Sequence, residues 1–277
     1  MIEIGKYNNL TILRSTSVGL FLGDDSGEDV LLPLKYCPEN VNMGDKIDVF
    51  VYRDGEERKI ATNLTPKILL HEFALLEVTD EARVGTFVDW GMEKNLLVPF
   101  KEQRMRMERG RWYVVYLDLD KETDRLFASN KVEKYLSNDV LTIKEGEKVD
   151  ILILRQTDMG YSVIINNKHS GLIFDNEIFK RLNIGEKHLG YVKKIREDNK
   201  VDISLHPIGF ENSNDPNCEI IYQTLVDNDG FLQITDKSSP DDIYSEFGIS
   251  KKAYKKAIGT LYKQKKIELL ADGIKLI

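Results

Sequence analysis

The sequence predicts a mainly β, multidomain protein in which three small barrels in tandem precede a C-terminal winged helix-turn-helix. The first observation is that Gly19, Gly85 and Gly160 are each followed, 25 residues later, by a second glycine. The second is that a short apolar run ends 14 positions after each first glycine. The third is that this pattern stops after Leu205 and gives way to helical spacing. Three copies in one register indicate an internal repeat with one structural unit per copy.

The second copy shows the strands of the unit most clearly. Short apolar or alternating segments are separated by turns, and Gly85 within the second segment predicts a bend or bulge. The segments are 75–78, 84–88, 95–99, 112–118 and 125–129, with a short helix or loop over 101–109. Five antiparallel strands with an excursion between the third and fourth are typical of the small OB-type barrel. We therefore predict barrels over 1–64, 65–136 and 137–210, and a different domain over 211–277.

The last segment has the signals of a winged helix. Residues 219–226 have helical spacing, and Ser239-Pro240 followed by two aspartates is typical of a helix start. Ser250 predicts the cap of a third helix. Its apolar residues share one face: Tyr254, Ala257, Ile258 and Leu261. Two apolar segments flanking Ala-Asp-Gly at 271–273 predict the terminal hairpin.

Composition favours a soluble cytoplasmic protein. Hydrophobic residues make up 42% of the 277 residues and charged residues 31%, as is ordinary for globular domains. No apolar run reaches the roughly 20 residues that span a bilayer, and the N-terminus has no signal-peptide pattern. Cys37 and Cys218 lie in separate modules, which excludes a disulfide framework and a cysteine-rich zinc site. We expect no cofactor, no metal and no membrane partner.

The formal net charge of −7 hides local basic clusters. Residues 1–64 carry a net charge of −4, whereas residues 137–210 are neutral. Because salt screens charges beyond about 10 Å, binding of an anion needs a local basic face only. Two clusters stand out, Lys101, Arg104, Arg106, Arg109 and Arg111 in the second copy, and Lys168, His169, Lys193, Lys194 and Arg196 in the third. Either cluster is a phosphate-binding surface or an ordinary solvated one.

Several short motifs resemble those of S1 RNA-binding domains. Residues 84–88 with Asp-Trp-Gly at 89–91 resemble the second S1 strand. Leu-Val-Pro at 97–99 and Gly-Leu-Ile-Phe at 171–174 resemble the "Gly-Leu-Val-His" strand, and Gly44-Asp45 resembles the opening of strand four. Three S1-like repeats with a winged-helix tail make the chain similar to the conserved virulence factor B family. That resemblance implies S1-like OB barrels and RNA binding.

The resemblance also implies a binding face. S1 domains use two aromatics of the second strand, a histidine or aromatic ending the third, and an Asp-x-x-x-Arg pair near the fifth. The positions that match here are Phe21, Asp54 and Arg58 in the first copy, Phe87 and Arg125 in the second, and Phe174 in the third. The other positions hold Val18, Pro33, Val84, Pro99, Met159 and Ser162, so no copy has the full set. Weak sites acting together are expected, although a phenylalanine on a strand is also a common core residue.

The third helix of the winged helix carries four lysines near its start: Lys251, Lys252, Lys255 and Lys256. In DNA-binding winged helices this element enters the major groove. No Arg, Asn or Gln lies on its leading turns to contact base edges, and lysines position phosphates without reading sequence. The helix is predicted to make a nonspecific contact with nucleic acid or protein, unless its lysines form a solvated face.

Catalysis has little support, because the four histidines lack metal-site spacing and no phosphate-binding loop is present. We therefore predict a cytoplasmic RNA-binding protein that holds single-stranded RNA across its barrels and regulates gene expression after transcription. Two alternatives remain at this point. One is a protein-interaction adaptor with degenerate barrels. The other is a DNA-binding regulator that acts through the winged helix.

Overall fold

A computed structural model describes residues 1–56, 58–175, 178, 181–205 and 216–277. The chain divides into two compact units after Leu205. The first contains fifteen strands in three groups of five, and the second is a small helical domain with a three-stranded sheet. The predicted mainly β fold with a C-terminal winged helix is confirmed. Among the described residues, no helix combines the length and apolar character that crossing a bilayer requires.

The first and third groups are closed five-stranded barrels with the same strand order. The first group consists of β1 (Lys6–Thr16), β2 (Gly19–Gly23), β3 (Asp29–Pro33), β4 (Lys46–Arg53) and β5 (Lys59–Thr62). The third consists of β11 (Lys148–Thr157), β12 (Gly160–Ile165), β13 (His169–Phe174), β14 (Lys187–Ile195) and β15 (Val201–Ser204). Parallel pairing of the third strand with the fifth closes each barrel, at Leu31–Ile60 in the first and at Leu172–Asp202 in the third.

The second group has the same strands, but its third and fifth strands lie side by side without ladder pairing. It consists of β6 (Phe73–Ala82), β7 (Gly85–Val88), β8 (Leu96–Pro99), β9 (Trp112–Asp120) and β10 (Arg125–Ser129). The sheet order is β10-β9-β6-β7-β8, so β8 and β10 are its two edges. No ladder hydrogen bond joins these two fully described strands. We call the line between Leu97 and Phe127, where the other barrels close, the open seam.

The predicted equivalence of the three glycines is confirmed, because Gly19, Gly85 and Gly160 each begin the second strand of their barrel. A Cβ atom at these positions would lie 2.1, 2.2 and 2.0 Å from a carbonyl oxygen of the third strand. Gly19 and Gly160 also have φ of +143° and +140°. A side chain at any of these glycines would therefore clash with the backbone of the third strand, which cannot move without breaking its pairing with the second strand.

Phe50 and Tyr52 of the first barrel pack into the hydrophobic core of the second, whereas the rest of the first barrel has a core of its own. Trp90, at the turn after β7, is 3% exposed and packs edge-on against Phe50 and Tyr52 of β4, with ring centroids 5.8 and 6.2 Å apart. Its indole Nε1 donates a hydrogen bond to the carbonyl oxygen of Lys94 at 2.7 Å. An ion pair between Arg53 and Asp124 adds a polar contact across the same junction. The barrels are therefore packed against each other.

A second apolar junction joins the second and third barrels. Phe73 and Tyr116 of the second barrel cluster with Leu152 and Ile164 of the third. Tyr135, in a short 3-10 helix between the barrels, stacks on Tyr116 with ring centroids 3.8 Å apart. Because both junctions are apolar, residues 1–205 form one compact unit.

The C-terminal unit has the predicted order of helices and strands. Its elements are α1 (Pro216–Asp227), β16 (Phe231–Leu232), α2 (Pro240–Phe247), α3 (Lys251–Lys263), β17 (Ile267–Leu269) and β18 (Ile274–Leu276). Ser239 caps α2 in a capping box with Asp242, and Ser250 caps α3. The four apolar residues predicted for one face of α3 are all buried. The polar segment 210–217 with its Asp-Pro pair predicts a linker, and most of it lies outside the described residues.

Candidate nucleic-acid interface

Phe21, Phe87 and Phe174 lie on the outer faces of their barrels. Phe21 is half-buried between two buried leucines of β2, and Phe87 lies between the fully buried side chains of Thr86 and Val88. Since successive side chains of a strand point to opposite faces, these rings face away from the barrel interior. Phe174 likewise follows buried Ile173 at the end of β13. Each ring is half-buried, so part of it is open to solvent.

Two of these rings have a guanidinium group above them. The Cζ atom of Arg14 lies 3.9 Å from the centre of the Phe21 ring, and that of Arg196 lies 5.4 Å from the centre of Phe174. Arg196 is also held by Asp202 through contacts of 3.1 and 2.9 Å. Such stacked pairs gain about 0.5–1 kcal/mol at exposed sites. They also present a flat cation on which a base can stack.

Arg14 is a site residue that the sequence analysis missed. It pairs with Phe21 across β1 and β2, immediately after a register shift between Ile12 and Arg14. The same shift precedes Asp80 opposite Phe87, and Arg155 opposite Ser162. A simple alternation pattern fails at such a bulge, because one extra residue moves the following side chains to the other face. Aligning the three copies would have placed Arg14, Asp80 and Arg155 at one position opposite the second strand, and this was the signal available in the sequence.

A groove of about 440 Å³ lies on the second barrel, beside the end of β4 of the first. It brings together three residues predicted from the sequence: Phe87, Lys101 and Arg125. The groove also runs over the open seam, since Leu97 and Phe127 both line it. The first barrel contributes Tyr52, Arg53 and Asp54 to its wall. Phe127, a half-buried aromatic side chain of β10, was not singled out by the sequence analysis.

The groove has more basic than acidic side chains. Its cationic side chains are Arg53, Lys94, Lys101 and Arg125, and its carboxylates are Asp54 and Asp120. Asp54 is itself occupied, because the Arg58 guanidinium donates two hydrogen bonds to it at 2.9 and 2.8 Å. Burial opposes ionisation of Asp54, but the bonds from Arg58 outweigh it and lower the pKa. Arg58 thus forms the expected pair with Asp54, next to the groove.

The basic loop of the second barrel is largely neutralised. It begins with a 3-10 helix, Phe100–Glu102, and continues without regular structure. Arg104 and Arg155 both contact one carboxylate oxygen of Glu133, at 2.8 and 2.6 Å. The other paired arginines of the loop are Arg106, bound to Glu81, and Arg111, bound to Glu108. Lys101 and Arg109 are exposed and have no ion pair within the described part of the chain.

His169 was predicted to belong to a basic surface cluster, and that prediction is wrong. Its side chain is fully buried. One ring nitrogen, Nδ1, lies 2.7 Å from the carbonyl oxygen of Ser137, and Nε2 lies 2.8 Å from Oγ1 of Thr142. These contacts fix the segment that enters the third barrel, so the ring is unavailable to a ligand. Lys168 and Lys194 remain exposed, and Lys193 is half-buried.

The lysines of α3 differ in their surroundings. The Lys251 ammonium group donates to the carbonyl oxygens of Lys237 and Ser238, at 3.3 and 2.6 Å, so it fixes the loop before α2. Lys255 lies 3.7 Å from a carboxylate oxygen of Asp236. Lys252 and Lys256 are exposed on the same helix. Lys251 and Lys255 thus have contacts within the domain.

Comparison with known proteins agrees with this architecture. Residues 4–64 match the S1 domain family, and residues 219–276 match the CvfB-like winged helix domain. A Bacillus subtilis protein described as uncharacterized protein YitL is 30% identical over 274 residues, which cover 95% of this chain and 90% of that protein. Conserved virulence factor B of Staphylococcus epidermidis ATCC 12228 is 26% identical, with 99% and 94% covered. The chain belongs to the conserved virulence factor B family.

A solved structure from Streptococcus pneumoniae TIGR4, described as a multidomain protein with nucleic acid binding domains, is 26% identical. It covers 99% of this chain, the chain covers 98% of it, and the TM-score is 0.41. S1 domains and winged helices are both nucleic-acid-binding domain types. This chain combines the two, and the domain matches support nucleic-acid binding by it.

Proposed function

We propose that this protein binds single-stranded RNA across the outer faces of its S1-like barrels and regulates gene expression after transcription in the cytoplasm. The observation that carries the proposal is the outward phenylalanine near an arginine in each barrel. These pairs are Phe21 with Arg14, Phe174 with Arg196, and Phe87 with Arg125 in one groove. A ring stacks a base and a guanidinium binds the adjoining phosphate, a combination suited to single strands.

Single-stranded RNA fits this arrangement better than duplex DNA. Bases in a duplex are paired and stacked, so an isolated ring on a barrel face cannot reach their flat surfaces, whereas an unpaired strand exposes them. Each stacked base contributes about 1–3 kcal/mol. Partial sites on barrels held together in one unit add to each other, because binding to the first raises the effective concentration of the strand at the next.

The winged helix is proposed to add a nonspecific contact. Lys252 and Lys256 are exposed on α3. A contact through lysine ammonium groups attracts phosphate without reading base edges. Lys252→Ala with Lys256→Ala should therefore weaken binding to RNAs of different sequence by a similar factor.

The deciding experiment measures the affinity of the full chain for labelled oligouridylate and oligoadenylate by fluorescence anisotropy. Single-stranded DNA and duplex DNA of equal length are compared, at about 50 and about 200 mM salt. With four phosphate contacts, affinity for the single strand should fall about 50-fold between these concentrations. Preference for duplex DNA would favour the DNA-regulator alternative, and no binding to any nucleic acid would favour the adaptor. Binding insensitive to salt would contradict the proposed contacts.

A further inference from the structure

We propose that the groove between the first and second barrels holds one unstacked base of the RNA strand, and that residues of both barrels form this pocket. The inference rests on the proposed function and adds where the main base contact lies. A single S1 domain would not carry this site, because its wall includes Tyr52, Arg53 and Asp54 of the first barrel.

The two walls of the groove are held at a fixed distance. Trp90 lines the groove and packs against Phe50 and Tyr52 of the first barrel. Near the turn after β9, Arg53 donates hydrogen bonds at 3.1 Å to both the carbonyl oxygen and a carboxylate oxygen of Asp124. One apolar contact and one ionic contact therefore join the two barrels that form the walls of the groove. Such a pocket is formed before the ligand arrives, which reduces the entropy lost on binding.

The floor of the groove is the open seam. In the first and third barrels the equivalent residues are paired, as in Leu31 with Ile60. In the second barrel no ladder hydrogen bond joins Leu97 to Phe127. The two strands lie side by side along this line without ladder pairing. The flat face of a base matches the rings of Phe87 and Phe127, which line the groove beside it.

Charge identifies the occupant as a nucleotide. The groove has four cationic side chains and two carboxylates, although the chain as a whole has a net charge of −7. Lys101 is exposed at this groove without an ion pair to a described residue. An apolar floor with a cationic rim suits a base with an attached phosphate. An acidic peptide would satisfy the rim, but its flexible side chains would not need the flat aromatic floor.

Trp90 reports on this pocket directly. The chain has two tryptophans, and Trp112 lies outside the groove. In the full chain with Trp112→Phe, titration with an oligouridylate of about ten nucleotides, within the site size of one OB fold, should change the emission of Trp90. Phe127→Ala should weaken binding at least about fivefold, the lower limit for one stacked base, and should reduce the Trp90 response. Phe174→Ala, on the third barrel, should weaken binding and leave the Trp90 response at saturation intact.

Two charge variants test the contribution of each barrel without altering buried residues. Lys101→Ala should weaken binding. Arg53→Ala should also weaken it, by removing a charge of the first barrel and the bonds to Asp124 that join the barrels; Asp124→Ala, which breaks the side-chain bond and keeps the Arg53 charge, separates the two effects. The matched control is Lys46→Ala, an exposed cation on β4 outside the groove. If RNA binds while Trp90 emission stays constant and the Phe127, Lys101 and Arg53 variants keep their affinity, the pocket is refuted and RNA binding stands. If RNA does not bind the unaltered chain, the proposed function and the pocket both fail. Equal Trp90 responses to single-stranded and duplex RNA would refute the unstacked base.

Discussion

Trp90→Ala should destabilise the junction between the first and second barrels. The indole is 3% exposed, packs against two aromatic rings of β4 and donates a hydrogen bond of 2.7 Å to the carbonyl oxygen of Lys94. Replacement of a buried tryptophan with alanine costs about 3–5 kcal/mol of folding free energy, because it removes apolar contacts and leaves a cavity. The edge-on ring contacts are part of this cost.

The loss of protection against hydrogen exchange should be largest in the segments on both sides of the junction. Hydrogen exchange with mass spectrometry resolves it, because the method measures the opening free energy of each segment separately. Peptides from β4 and from the turn after β7 should lose protection by about two to three and a half powers of ten, which corresponds to about 3–5 kcal/mol. In urea, with a slope of about 3 kcal/mol per molar, the barrel unit should unfold at a midpoint about 1–1.7 M lower.

Trp112→Ala is the matched control for this prediction. Trp112 is 52% exposed at the start of β9. Its replacement should lower the free energy of unfolding by no more than about 1 kcal/mol, since surface substitutions have small effects. Equal effects of the two substitutions on protection and on the urea midpoint would refute the interpretation that Trp90 joins the barrels. Loss of protection confined to the second barrel would show that the first barrel folds without this contact.

Three further substitutions test the Phe87 ring, the buried His169 and the ionised Asp89 separately. Phe87→Ala should lower RNA affinity by about 1–3 kcal/mol with a nearly unchanged thermal midpoint; a large fall in the midpoint with unaltered affinity would assign the ring to the core. His169→Ala should lower the free energy of unfolding by about 1–3 kcal/mol, because it removes the contacts of a fully buried ring with Ser137 and Thr142. Anisotropy should show unchanged RNA affinity; weaker RNA binding at full stability would restore His169 to the binding surface. The pKa of Asp89 is lowered, first by the Lys67 ammonium and then by the Gly91 amide. The ionised carboxylate therefore stabilises the folded state above the unfolded-state pKa of about 3.9. This stabilisation is lost as pH falls through the lower pKa of the folded state. Asp89→Asn should therefore reduce the urea midpoint at neutral pH and flatten its decline below about pH 4, and an unchanged pH profile would contradict this assignment.

The repeat made the fold predictable from sequence. Because Gly19, Gly85 and Gly160 occur at one position of the unit, the weak local strand signals of the three copies supported each other. The structure explains why these residues are glycines, since a Cβ atom there would lie 2.0–2.2 Å from a carbonyl oxygen. In the winged helix, Ser239 and Ser250 gave correct helix starts, because capping chemistry is local in sequence.

Long-range contacts were the part that the sequence did not predict. His169 appeared to be a surface cation because it follows Lys168, but a side-chain partner 27 residues earlier and a backbone partner 32 residues earlier hold it in the core. The basic loop appeared free for phosphate because the carboxylates that pair with Arg104 and Arg106 lie 29 and 25 residues away. The groove depends on Arg53, which lies 71 residues before its partner Asp124. No local pattern encodes such distances.

The two junctions that join the barrels also limit how the number of copies in such a chain can change. The junction before the second barrel depends on the edge-on packing of Trp90, and the junction after it depends on the stacked pair of Tyr116 and Tyr135. These surfaces are not interchangeable, although the barrels that carry them are copies of one unit. A gene rearrangement that removed the middle copy would place two unmatched apolar surfaces together, with Phe50 and Leu152 left without their partners. In this chain, loss of the middle repeat would therefore also destabilise the repeats on either side of it.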